Sequence, residues 1–124
     1  MAFVMRKPVK IVDELVFLDE DDGEIGRVPV QLDVTSNAGR LTRALNAVIL
    51  AERHLPDGGE DAQAEYDRAF VALCKEVFGP AYDKVAEVAE TTENLAANVL
   101  PFLRERVMPA IAKASRQRAG QLAK

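Results

Sequence analysis

Residues 25–37 read Ile25-Gly26-Arg27-Val28-Pro29-Val30-Gln31-Leu32-Asp33-Val34-Thr35-Ser36-Asn37. From Val28 to Val34 every even position is apolar, and the odd positions between them are Pro, Gln and Asp. A period of two puts the apolar side chains on one face, so the stretch predicts a half-buried β-strand. Pro29 has no N–H to give to a ladder, which places that strand at a sheet edge. Directly afterwards the period changes. Leu41, Leu45, Val48, Glu52 and Leu55 follow at spacings of four and three, with Ala44 and Ile49 beside them. That is one helical face, over about residues 37–55. Thr35 or Ser36 can cap its N-terminus by accepting from the free amides. A strand that runs straight into an amphipathic helix points to an α+β fold.

Upstream of the strand lie two short apolar runs, Val9–Val12 and Leu15–Leu18. The acidic stretch Asp19–Glu24 then leads into the strand. Asp22-Gly23 is a strong hairpin signal, because Gly takes positive φ freely. The first 34 residues therefore predict a β-hairpin over about residues 9–34. Two or three strands cannot stand alone in water, so the hairpin must lean on the helices that follow.

Downstream, Pro56-Asp57-Gly58-Gly59 predicts a stop to the first helix. A second helix is predicted over about 61–78, where Tyr66, Phe70, Leu73 and Val77 form a stripe flanked by Ala69, Cys74 and Phe78. Gly79-Pro80 ends it with a Gly cap and a residue that cannot continue the same helix. A third, over about 81–90, carries Tyr82, Val85, Val88 and Ala89 on its apolar side, with Thr91 and Thr92 positioned to close it or cap the next. Beyond it Leu95, Val99, Phe102, Leu103, Val107 and Ile111 share a face with Ala110 and Ala114. Pro101 and Pro109 interrupt this face. A proline inside a helix costs about 3 kcal/mol, so a break or kink is expected near Pro101 and a softer one near Pro109. Residues 116–124 contain Gly120 and few apolar side chains, and are expected to fray. The expected architecture is mainly helical α+β: an N-terminal hairpin packed on three to four helices in one domain, 1–100, followed by a basic amphipathic C-terminal arm, 101–124.

The 124 residues, 48% apolar and 29% charged, suit a single domain. Six per cent aromatic residues and no Trp leave a base-stacking platform poorly supplied. One Cys and one His exclude a disulfide framework and a Cys/His zinc site within one chain. No apolar run approaches the length of a membrane span. The opening Met1–Lys7 places its charges after its apolar patch, with no further apolar core behind, unlike a secretory signal. The expected location is the cytoplasm.

Charge is uneven. Residues 1–35 carry a net of −4 and residues 36–99 a net of −5. Residues 100–124 carry Arg104, Arg106, Lys113, Arg116, Arg118 and Lys124 against Glu105 alone, a net of +5. Cations near a helix C-terminus also complement its dipole. A basic end on an acidic body suits an acidic partner, nucleic acid, or the acidic face of a second copy, so self-association is an expected property.

Catalytic parts are scarce. Asp19–Glu24 fails as an EF-hand: with Gly23 at the sixth position, the first is Leu18 and the twelfth Pro29. His54 has no serine in a nucleophile-elbow setting to activate, and reads as a last-turn residue favoured by the helix dipole. Cys74 lies beside an apolar stripe and reads as a core residue. Gly58-Gly59 precedes a helix, but Asp57, Glu60 and Asp61 around it would repel a phosphate. Glu65 and Asp67 are two apart on a helix and do not face each other. No catalytic residue, metal or cofactor is expected. The remaining candidate is a partner-binding surface in which Phe102, Leu103, Val107 and Ile111 alternate with Arg104, Arg106, Lys113 and Arg116. Basic amphipathic helices also bind anionic lipid, but two prolines and a single aromatic residue argue against a membrane role here.

The entry into the first helix, Asp33-Val34-Thr35-Ser36-Asn37-Ala38-Gly39-Arg40-Leu41, and the end of the second, Glu76-Val77-Phe78-Gly79, carry a resemblance over about residues 28–90. The chain resembles small phage or prophage tail proteins of Gram-positive bacteria, of the tail assembly chaperone type. The resemblance implies a mostly helical, non-enzymatic protein that binds tape measure or tail-tube subunits during assembly. The runner-up expectation is a small DNA-binding regulator using the basic arm, which the acidic body and the missing helix-turn-helix disfavour.

Overall fold

The computed structural model describes residues 2–122, with side chains placed through residue 117. Two strands, β1 (Lys10–Leu18) and β2 (Glu24–Asp33), form an antiparallel hairpin that pairs Ile11 with Leu32 and Leu15 with Val28. The alternation read from the sequence is realised in β2. Val28, Val30 and Leu32 are buried, while Arg27, Pro29 and Gln31 face outward. The two apolar runs upstream belong to one strand, β1, whose pairing slips at Phe17/Leu18.

The turn differs from expectation. Asp22, not Gly23, takes the positive φ, at 63°. The Asp19 carboxylate organises the loop by accepting the Asp21 N–H at 2.9 Å and the Gly23 N–H at 2.8 Å. Gly23 serves close approach instead: a Cβ there would lie 3.0 Å from Asp19 Oδ2.

Helix α1 (Val34–Phe78) begins three residues earlier than its periodicity suggests. Its cap is Asp33 rather than Thr35 or Ser36. Asp33 Oδ1 accepts the Ser36 N–H and its Oδ2 accepts the Ser36 hydroxyl, both at 3.0 Å. The Thr35 hydroxyl instead accepts the Val9 N–H at 2.7 Å, tying the start of β1 to the start of α1. The expected stop at 56–59 shrinks to one residue. Helical geometry passes through Pro56, and only Gly59 departs, at φ 58° and ψ −142°. Leu45 and Leu73 line one common cavity. In a straight helix they would be about 42 Å apart, so the chain doubles back at Gly59. Gly58 permits the tight elbow, since a Cβ there would collide with that of Ala62.

Gly79 caps α1 with φ 53°, and a 3₁₀ turn over Gly79–Ala81 leads into α2 (Tyr82–Ala89). Thr91 caps the next helix, α3 (Thr92–Phe102), accepting the Asn94 N–H at 3.1 Å. No break follows at Pro101. Five residues of π-helix, Leu103–Val107, join α3 directly to α4 (Met108–Leu122), and the junction residues Leu103 and Met108 keep helical φ and ψ. The wider π turn lies between the two prolines and includes Glu105, whose carbonyl the Pro109 ring would meet four residues back in a regular helix. Helical structure continues through residues 116–122, where the composition predicts fraying, and residues 123 and 124 lie outside the described residues.

The architecture is thus α+β and mainly helical, with the hairpin packed on long helices. The expected count of three to four separate helices holds only in part. The 37–55 and 61–78 helices are the two limbs of one bent element, and Thr92 to Leu122 is one helical run. One core joins the parts: Ile11, Val28, Val30 and Leu32 from the hairpin meet Leu41, Phe70, Leu73 and Val77 from α1. Val85, Leu95, Leu103, Val107, Ile111 and Ala114 from the later helices belong to the same core.

Candidate functional site

The structure separates the eight residues expected to bind a partner. Leu103, Val107 and Ile111 are between 1% and 5% exposed and form part of the chain's own core, so they are not available to a partner. The apolar stripe of the arm packs inward against α1, in one core with Leu41, Phe70 and Leu73. Arg106 is held by the hairpin: its Nε donates to Asp13 Oδ2 at 2.7 Å and a terminal nitrogen donates to Oδ1 at 3.3 Å. That carboxylate keeps the Arg106 guanidinium above its ordinary pKa. Arg104 borders a cavity of about 440 Å³ between the limbs of α1 and the C-terminal run, with Glu52, Tyr66 and Met108. Burial, then the nearby Glu52 and Asp67 carboxylates, push the Tyr66 hydroxyl up. Lys113 and Arg116 are exposed and pair with no acid among the described residues.

Phe102 leads to a different site. Its ring stacks on Phe78, with centroids 5.9 Å apart and planes 23° from parallel. Both rings line a cleft of about 580 Å³ between the turn end of the hairpin and helices α2 and α3. Leu15 to Glu20 of β1 and its turn form one wall; Val85, Leu95 and Val99 stand opposite. Asp19, Glu20 and Glu90 give the rim negative charge, and Asn94 and Asn98 supply amides. Val16, Leu18 and Ile25, at the same end of the hairpin, are about half exposed: 46%, 54% and 59%. With Val12 (68%), exposed farther along the same outward side of β1, they form an apolar surface that gains by being covered.

The sequence carries a signal for this cleft. Leu15–Leu18 is apolar at four consecutive positions, whereas a strand with one buried face needs apolar residues only at alternate ones. The surplus ones, Val16 and Leu18, are the exposed positions of the β1 alternation, and both border the cleft. The acidic stretch forms the hairpin turn ahead of Glu24, the first residue of β2, and its Asp19 and Glu20 also rim the cleft.

The remaining candidates hold no reactive arrangement. His54 Nδ1 lies 3.3 Å from both Glu65 carboxylate oxygens, across the elbow of α1, with both side chains exposed. Cys74 is buried, and burial pushes its thiol up to about 12. Among the described residues no group of three His, Cys, Asp or Glu side chains could hold a metal ion. No described helix is long and apolar enough to cross a membrane. No family model, curated protein or solved structure matches this chain.

Proposed function

We propose that this chain is a non-catalytic assembly protein whose cleft holds an extended apolar segment of a partner. The observation that carries the reading is the cleft itself, with stacked Phe78 and Phe102 at its base and half-exposed Val16, Leu18 and Ile25 at its mouth. A strand edge supports an extended occupant. The sheet has only two strands among the described residues, so β1 has no strand partner on its outer side, and consecutive residues of β1 border the cleft. A peptide lying there can add main-chain hydrogen bonds to apolar burial. With the tail assembly chaperone resemblance, the partners are tape measure or tail-tube subunits met in the cytoplasm of a bacterial host.

The test is co-elution. The purified chain, mixed with tail-tube or tape measure protein, should move to a larger size on a sizing column. Leu18→Asp with Ile25→Asp, exposed positions that leave the core intact, should abolish the shift. A shift that survives the double substitution, or no shift with either protein, overturns the reading. A nucleic-acid role would rest on Lys113 and Arg116, and would show as a gel shift that collapses with salt.

A further inference from the structure

The chain carries a segment suited to this cleft. Residues 2–9 have no regular structure, and Phe3 and Met5 are 90% and 91% exposed. In extended chain, positions two apart share a face, so Phe3 and Met5 project together. Arg6 and Lys7 follow at once and pair with no acid among the described residues. Two apolar anchors followed by two cations match the apolar walls of the cleft and its rim of Asp19, Glu20 and Glu90.

The segment cannot fill the cleft of its own chain. Val9 is fixed at the far end of the hairpin: its N–H goes to Thr35, and its carbonyl accepts the Val34 N–H at 2.9 Å. From there to Leu15–Leu18 is about 20–30 Å at the rise of a strand. Phe3 is only about 20 Å of fully extended chain from Val9, and any fold-back uses up part of that length in a turn next to Pro8. A second copy with its hairpin antiparallel to the first has no such shortfall. Its Val9 end then lies beside the first copy's turn, and the exchange is reciprocal, closing a two-fold pair.

We infer that residues 3–7 of one copy dock in the hairpin–α2–α3 cleft of a second copy, so that a self-associated pair keeps the cleft covered until a partner segment displaces it. The inference rests on the cleft being a segment-binding groove. The experiment is sedimentation of the full chain across a wide concentration range, with anisotropy of a labelled peptide of residues 2–8 added to it. The wild-type chain should dimerise, more weakly at high salt, and the peptide should bind and lower the dimer fraction. Phe3→Asp with Met5→Asp should weaken dimerisation about a hundredfold or more. Arg6→Glu with Lys7→Glu should weaken it about tenfold, and so should Glu20→Lys with Glu90→Lys. Mixing the two charge-reversed chains should restore a mixed dimer. A chain that stays monomeric throughout, or a dimer indifferent to Phe3 and Met5, overturns the inference. Co-elution of a tail protein with the Phe3→Asp/Met5→Asp chain separates the outcomes: if it persists, the cleft still serves a partner and only the self-docking is lost.

Discussion

Leu103→Ala asks whether the C-terminal run is part of the domain or an extension from it. Leu103 is 4% exposed and sits in the common core with Val99 and Val107. Truncation to Ala removes three carbons, about 2.4 kcal/mol at the usual 0.8 per methylene. The unfilled cavity adds to this, giving about 3–4 kcal/mol, within the range known for buried leucines. A chain of this length has a total stability of about 6–19 kcal/mol, so the loss is large but survivable. With a urea slope of about 2 kcal/mol per molar, the unfolding midpoint should fall by about 1.5–2 M in a single transition. Lys113→Ala, an exposed site on the same run, should stay within about 0.5 kcal/mol. If Leu103→Ala also stays within that margin, or if the variant melts in two steps with residues 92–122 going first, residues 101–117 are not packed as described.

Three further outcomes follow from local structure. The Asp33 carboxylate is held below its ordinary pKa, first by the Ser36 N–H and then by the Ser36 hydroxyl. Its contribution is therefore complete above the unfolded value of about 3.9 and lost as pH falls through the lower folded value. Asp33→Asn keeps a cap acceptor without the charge, so urea titrations should show wild type and variant converging in acid; a gap that is constant from neutral pH downward would contradict this. Gly59→Ala forces a side chain into φ 58°, ψ −142° and should cost about 1–3 kcal/mol by thermal melting. Gly26→Ala, where an added Cβ meets nothing within 4 Å, serves as its control and should be close to neutral. Cys74, its thiol pushed up to about 12 by burial, should resist iodoacetamide at neutral pH and react once urea unfolds the chain. Since the unfolded thiol ionises first, at about 8.5, stability should decline as pH rises above that value. Equal labelling rates with and without urea would show that the thiol is not enclosed.

Much of the fold is legible because its two periods are clean. Val28, Val30 and Leu32 alternate, and Phe70, Leu73 and Val77 repeat at helical spacing; all six are buried. Local reasoning fails where a tertiary contact decides between local alternatives. Thr35, Ser36 and Asp33 are all competent caps, and Thr35 is engaged by Val9 instead. Pro101 and Pro109 argue for a break, but the run is held together by Leu103, Val107 and Ile111, whose burial outweighs the local cost of two prolines. The same burial removes three of the four apolar residues of the expected partner surface. A stripe that alternates with cations looks the same in sequence whether it faces a partner or its own core. Of the eight residues, only Phe102 borders the cleft, and the sequence marks it as a member of a helical face rather than of a site.

The position of the cleft follows from a mismatch of sizes. A two-stranded hairpin is too narrow to cover the helices it rests on, and its slip at Phe17/Leu18 turns the last residues of β1 out of regular pairing. At the Val9 end the gap is closed by hydrogen bonds to Val34 and Thr35, and midway along by Asp13 and Arg106. At the turn end no such tie to the helices is present among the described residues, so the space between Leu15–Leu18 and α3 stays open. A fold seeking stability alone would place polar residues at that mouth or close it with a larger side chain. This chain instead keeps Val16, Leu18 and Ile25 half exposed beside a charged turn. Those residues contribute little to the hydrophobic core while they remain exposed, and each gains when an apolar segment covers it. The open end of the hairpin is therefore where apolar surface is left to be covered, and the tied end is what fixes the hairpin on the helices.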